Sequence, residues 1–313
     1  MSTANALTKS TTQQLDRARL WTGLADDILK RDAAKAANSK DAVELWGLLE
    51  AYLATYGESG AKVSANTVRS YRRGLDAWLE FANERGINLL RPDRDTGAEY
   101  TRWLETKLSP SSVRVRLASV KLLYKALRWS GASDAAPFGD VKPAKDKTAA
   151  WDKREPYSHA EVETLLEHAG SVDGALILLC GHAGLRVSEA VALEWQDIDG
   201  STLMVRSGKG GKSRRVNLSQ ALSEVLQDVP RVDTRLLPFT DTRARERIRN
   251  LCERAEVAYK GIHALRHYAG TRLYAETNGL EHVARHLGHS SIETTRVYAK
   301  WSDSTLKDTL ANW

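Results

Sequence analysis

Cysteine is nearly absent: 313 residues contain two, Cys180 and Cys252, each among apolar neighbours and neither in a CxxC or Cys/His spacing. That excludes a disulfide framework and a zinc finger or ribbon, and leaves two buried free thiols of the kind a reducing compartment preserves. Long apolar runs are missing as well. No stretch reaches the ~18–20 apolar residues of a membrane span. The N-terminal MSTANALTKSTTQQLDRAR lacks the continuous apolar segment of a signal peptide. The expectation is a soluble, cytoplasmic protein with no membrane partner. HExxH is absent too, although His263/His267 and His282/His286 form HxxxH pairs, so no metal site is expected. No internal repeat is evident.

What is present begins with length and charge. A chain of 313 residues suits two domains, and 46 Lys+Arg against 40 Asp+Glu give a formal charge of +6. A basic balance fits a polyanionic partner without requiring one.

Residues 1–38 are rich in Ser, Thr, Ala and charge, with short helical patches such as 20–29, and are expected to be a loosely ordered leader. Over 41–56, Leu45, Leu48, Leu49 and Leu53 recur at helical spacing until Gly57 and Gly60 end the pattern. Ser64 can cap the next helix. At 100° per residue, Val68, Tyr71, Leu75, Trp78, Leu79 and Ala82 share one face, while Arg69, Arg72 and Arg73 share the other. A further helix starts at Ser109-Pro110, a capping residue followed by a proline suited to the first turn, and runs to Gly131. Its core stripe is Val113, Leu117, Val120, Tyr124 and Leu127; Arg114, Lys121, Lys125 and Arg128 cluster about a quarter turn away. Either basic face alone reads as ordinary solvation. Two in one small domain point to a surface that meets phosphates.

Residues 135–156 hold three prolines among mixed charge and read as an extended basic linker. Ser158 with Glu161 forms a capping box, and 174–183 is a strongly apolar helix closed by Gly184, which puts Leu185-Arg186 at a sharp junction before a helix over 187–193. Strand character over 202–207 and 215–218 flanks Gly208-Lys209-Gly210-Gly211-Lys212, predicting a hairpin with lysines at its tip.

Six polar residues along this half carry an inventory for phosphoryl chemistry: Arg186, Lys209, His263, Arg266, His289 and Tyr298. An arginine fork binds two phosphate oxygens at once, which lysine cannot do. Arg186 in GLRVSE has a plainer reading, a salt bridge to Glu189, and both can hold if Glu189 orients it. His263 and Arg266, three apart in GIHALRH, share a helical face. In HLGHSSIETTRVYAKW, Gly288 ends a helix and lets His289 approach a ligand, and Ser290 and Ser291 cap a helix carrying Tyr298. A core tyrosine is the plain alternative for Tyr298.

In order, GLRVSE, a hairpin lysine, HALRH, LGHSS and a tyrosine nine residues after the LGH histidine resemble the tyrosine site-specific recombinases, or phage-type integrases, and among them the Xer-like members. The similarity spans roughly residues 40–310. It implies a mainly α fold with a small β-hairpin or sheet: a two-domain clamp of an N-terminal helical core-binding domain (39–134) and a C-terminal mixed α+β catalytic domain (157–301), joined by the linker and followed by a terminal helix (302–313). It implies double-stranded DNA with specific recombination sites as partner, and a homotetramer, or a heterotetramer with a second recombinase, on that DNA. No cofactor, metal or ATP is implied. Arg186, Lys209, His263, Arg266, His289 and Tyr298 take the catalytic roles, with Lys212 three residues from Lys209 as the competing lysine. The terminal stripe Leu306, Leu310 and Trp313 packs on its own domain or docks on a neighbouring subunit. Alternatives from the same chemistry are a type IB topoisomerase and a DNA-binding module without catalysis.

Overall fold

The computed structural model describes residues 18–57, 63–146, 148, 155–206, 213–288, 295 and 298. The chain divides into two compact units, Met1–Lys147 and Thr148–Trp313. Lys209, Lys212, His289 and the terminal stripe lie outside the described residues.

In the first unit, residues 18–22 are helical, followed by α1 (Asp26–Ser39), α2 (Ala42–Tyr56), α3 (Ala65–Glu84), α4 (Thr96–Glu105) and α5 (Pro110–Trp129). Residues 18–38, expected in a loosely ordered leader with short helical patches, are helical over 18–22 and from Asp26 on. In α1, Leu29, Ala33, Ala36 and Ala37 recur at i, i+4, i+7 and i+8 and are buried, and α1 packs on α2. Three of the four are alanines, whose small side chains give a weak apolar signal in sequence yet allow close helix contact. Asp41 caps α2 by accepting from Val43 N and Glu44 N at 2.8 and 3.1 Å, and Ser64 caps α3 by accepting from Thr67 N at 3.1 Å.

The α3–α5 crossing is the main seam of this unit. A Cβ on Gly74 would stand 2.5 Å from Ser119 Cβ, and Ser119 Oγ donates to the Tyr71 carbonyl at 2.6 Å. Glycine therefore sets the distance between the helices. Trp78 is the hub of the core, its ring 5.0 Å from Tyr100 and 5.2 Å from Phe138. The first part of the expected linker is thus packed rather than free: Phe138 is buried, and Lys121 Nζ donates to the Val141 carbonyl at 3.0 Å. One large aromatic ring is enough to pin a segment whose other residues are polar or proline.

The second unit runs α6 (His159–Glu167), α7 (Ser171–Gly181), the short α8 (Val187–Ala190), a 3₁₀ turn (Trp195–Asp197), β1 (Ile198–Asp199), β2 (Thr202–Val205), β3 (Arg214–Asn217), α9 (Gln220–Gln227), α10 (Asp241–Arg254), α11 (His263–Thr277) and α12 (Leu280–Leu287). The capping box before α6 is formed: Ser158 N donates to Glu161 Oε2 at 2.7 Å, and Glu161 N donates to Ser158 Oγ at 3.2 Å. α7 is apolar from Gly174 onward and buried from Asp173 to Gly181, with α9 and α11 packed on it. The hairpin pairs Thr202 with Asn217 and Val205 with Arg214, and β1 adds an edge to make a three-stranded antiparallel sheet. Cys180 and Cys252 are free and buried; burial pushes the Cys180 thiol up to about 12 against the lowering pull of Arg266.

Candidate active site

Three segments converge around one carboxylate. α7 ends at Gly181, and the chain turns through Gly184 at φ +63°, a left-handed conformation that glycine adopts without strain. A Cβ there would stand 2.4 Å from Leu287 Cδ2, so the turn lies directly against the end of α12. This delivers Arg186 to the start of α8, one turn before Glu189. The Arg186 amide donates to Glu189 Oε2 at 3.0 Å and its Nη1 to Oε1 at 2.7 Å. The ion pair read from sequence is therefore present, and Glu189 orients Arg186.

Arg214, the first residue of β3, grips the same carboxylate through both nitrogens: Nη1 to Oε1 at 3.2 Å and Nη2 to Oε2 at 2.8 Å. Arg266, in the first turn of α11, places Nη1 3.9 Å from Glu189 Oε2. Burial alone would raise the Glu189 carboxyl; the hydrogen bonds from Arg214 and Arg186 overcome that and bring it down to about 2.

Arg266 is 2 % exposed. Its Nη1 donates to the Gly184 carbonyl and its Nη2 to the Leu287 carbonyl at 2.7 Å, so one side chain fastens the GLR turn to the last turn of α12. Burial, then repulsion from Arg186, lowers its guanidinium to about 10, still charged at neutral pH. α12 ends at Gly288 with φ +67°, and a Cβ there would stand 2.7 Å from Arg214 Cδ.

Tyr298 lies in this cluster. Its ring is 2 % exposed and packs with Ala269, Val283 and Leu287. A Cβ on Gly270 would stand 2.5 Å from Tyr298 Cε1, so α11 makes room for the ring by having no side chain there. Burial raises the phenol, while the Arg266 and Arg186 guanidiniums pull it down. His263, half-buried at the start of α11, meets His267 edge-on at 4.9 Å between ring centroids, and His267 is 5.9 Å from the Tyr298 ring. The structure thus brings together Arg186, His263, Arg266 and Tyr298, residues 112 positions apart at their extremes.

Sequence reasoning passed over Arg214, Gly270 and the placement of His267. Arg214 falls one residue before the strand expected over 215–218, and its partner is 25 residues away. His267 registers only as an HxxxH partner of His263. Among the described residues, no group of three or more His, Cys, Asp or Glu side chains could hold a metal ion.

The basic residues of the first unit separate. Arg69, Arg73, Arg114, Lys125 and Arg128 are exposed, while Arg72 and Lys121 are half-buried. Arg72 pairs with Asp76 at 3.3 Å and stacks over the Trp46 ring; Arg128 donates to the Ala135 carbonyl at 2.8 Å. Lys121 and Arg128 therefore fasten the segment after α5.

Comparison with known proteins gives matches in both units. Residues 157–305 match the phage integrase family and residues 49–131 its N-terminal SAM-like domain. Tyrosine recombinase XerD of Rhizobium meliloti (strain 1021) is 32% identical over 288 residues, covering 82% of this chain and 90% of the relative. The fold resembles XerH site-specific recombinase bound to palindromic difH substrate in a post-cleavage complex (TM-score 0.67, 18% identity, 96% of this chain and 94% of that one). It also resembles lambda integrase, solved as a tetramer bound to a Holliday junction (TM-score 0.63, 16% identity, 79% and 77%).

Proposed function

From the premise that the chain belongs to the phage integrase family of tyrosine recombinases, we propose that it cuts and rejoins DNA at specific sites through a 3′-phosphotyrosyl link on Tyr298. The observation that carries this is the seat of Tyr298 beside Arg186 and Arg266, on a helix face kept open by Gly270.

Enzymes acting on phosphate esters remove on the order of 20 kcal/mol of barrier, and most of that is electrostatic. Three guanidiniums around one carboxylate leave a surplus of two positive charges. That matches a phosphodiester whose charge grows toward minus two as a fifth oxygen adds. Arg186 and Arg266 bind the non-bridging oxygens, with His289 as a further donor. The Tyr298 oxygen attacks phosphorus in line, its proton passing to His263, and the bond to the 5′-oxygen breaks as Lys209 supplies a proton to the leaving hydroxyl. The phosphotyrosyl bond conserves the energy of the bond broken. A 5′-hydroxyl from a partner strand attacks it, the phenol leaves and recovers a proton, and no ATP is consumed. Burial raises the phenol and the Arg266 and Arg186 guanidiniums lower it, so transfer of its proton to a base accompanies attack.

The partner is double-stranded DNA bearing recombination sites, held by a tetramer of this chain or of this chain with a second recombinase, at the nucleoid where that DNA lies. Exposed Arg69, Arg73, Arg114 and Lys125 are the phosphate contacts of the first unit, with Arg72, Lys121 and Arg128 at its margin. The domains are the helical first unit, widened from 39–134 to take in α1 and the segment that carries Phe138, and the catalytic 157–301.

The test uses nicked duplexes taken from a random-sequence pool for retention by the protein. The unaltered chain is expected to give a covalent protein–DNA adduct resistant to denaturant and sensitive to protease, and Tyr298→Phe to give none. Adducts from Tyr298→Phe would sink the nucleophile assignment. Relaxation of supercoils by a monomer without exchange between sites would favour a topoisomerase.

A further inference from the structure

We propose that Arg214 is a positioning residue of this active site: it holds the Glu189 carboxylate so that Arg186 and Arg266 keep their charge for the phosphate, and it fixes the base of the β2–β3 hairpin to the Gly288 turn. The proposal rests on the recombinase reading given above.

Glu189 is almost fully buried and accepts four hydrogen bonds, two from Arg214 and two from Arg186. A carboxylate has about four lone-pair sites, so the set is full and Arg266 is left at 3.9 Å, near but not bonded. Arg214 satisfies both oxygens along one edge. Removing it would leave a buried carboxylate with vacant lone pairs beside the guanidiniums of Arg186 and Arg266. The electrostatic response is for Arg186 to turn fully onto Glu189 and for Arg266 to close the remaining gap, which withdraws both forks from the phosphate. Arg214 spends both terminal nitrogens on the two oxygens of Glu189, which gives it a holding role rather than a phosphate-binding one.

The second role follows from covalent position. Arg214 opens β3, five residues after Lys209 in the sequence, and its Cδ lies against Gly288, the residue before His289. One side chain therefore sets three segments in register: the α8 turn, the hairpin and the end of α12. Lysine could replace the charge but not the fork, since a single ammonium cannot span both carboxylate oxygens.

The experiment measures single-turnover cleavage of the nicked duplexes at saturating protein, duplex affinity and thermal melting, for the unaltered chain, Arg214→Ala, Arg214→Lys, Glu189→Gln and both double variants. Arg214→Ala is expected to lower the cleavage rate about a hundredfold or more while affinity stays within about threefold, and Arg214→Lys to recover only part of the loss. Because Arg214 acts through Glu189, adding Glu189→Gln to either Arg214 variant should change the rate less than about threefold further. Additive losses, or equal losses of binding and cleavage, overturn the proposal. If Arg214→Ala does not fold, the Arg214→Lys and Glu189→Gln cycle decides alone. Wild-type cleavage rates from an Arg214 variant overturn this proposal only; no Tyr298-dependent adduct from the unaltered chain overturns the recombinase reading, and this proposal with it.

Discussion

Glu189 shows what one buried charge does in this site. Its carboxyl is held at about 2 against an ordinary value of 4.5, so the folded state binds fewer protons than the unfolded chain between those values. Stability from this residue is complete above the unfolded value and is lost as pH falls through the folded one, and the shift is worth about 3 kcal/mol. Chemical denaturation of Glu189→Gln beside the unaltered chain should therefore show a gap of that order at pH 7 that shrinks as pH falls from 4.5 toward 2. A gap constant across that range would mean that the carboxylate charge contributes little. Arg266 makes the complementary case. Arg266→Lys retains a positive charge but cannot reach the Gly184 and Leu287 carbonyls together. It should lower adduct formation by about a hundredfold or more and also lower the melting temperature, whereas Arg186→Lys, at a more exposed fork, should lower adduct formation with less effect on melting.

Among the elements, α11 has two jobs in about two turns: it presents His263 and Arg266 at its start and an empty face to Tyr298 at Gly270. Gly270→Ala favours the helix by propensity, by roughly 1 kcal/mol on an isolated helix. Here the new methyl would occupy the space of the Tyr298 ring, and overpacking typically costs about 1–3 kcal/mol. The expected outcome is little net gain or a loss in stability with at least about a tenfold fall in phosphotyrosyl adduct, because the ring must leave its seat. A variant that gains stability and cleaves at the wild-type rate would show the contact to be dispensable. The α3–α5 seam offers a parallel case away from the chemistry. Gly74→Ala meets Ser119 Cβ at 2.5 Å and should destabilise the first unit by about 1–3 kcal/mol in denaturant titration.

Across the whole molecule, charge predicts salt dependence. Removing one cation that neutralises a phosphate should reduce the slope of log affinity against log salt by about 0.9. Arg73→Ala, Arg114→Ala and Lys125→Ala combined should flatten that slope by nearly three such steps with little effect on melting, since all three are exposed. Lys121→Ala should act the other way, lowering melting more than slope, because its ammonium is committed to the Val141 carbonyl. The same distinction explains how much was legible beforehand. The helical faces of α3 and α5, the Ser158 capping box and the β2–β3 hairpin follow from spacing and local hydrogen bonding, so sequence predicted them nearly to the residue. Helix α8 stops at Ala190 rather than 193, and β1 joins the sheet, because both depend on neighbours that no local pattern encodes.

Sequence by itself determined which side chains could do phosphoryl chemistry, which helices had a core face, and that an arginine fork would stand at a sharp turn beside an acid. These are one-dimensional properties: residue type, period and adjacency. Only the tertiary structure decided that Glu189 answers to Arg214 across the hairpin, that Phe138 pins the segment after α5, and that Gly270 is the floor beneath Tyr298. The reason is physical. A salt bridge or a steric vacancy between residues far apart in the chain has no period along it, and it comes into being when packing has fixed both backbones.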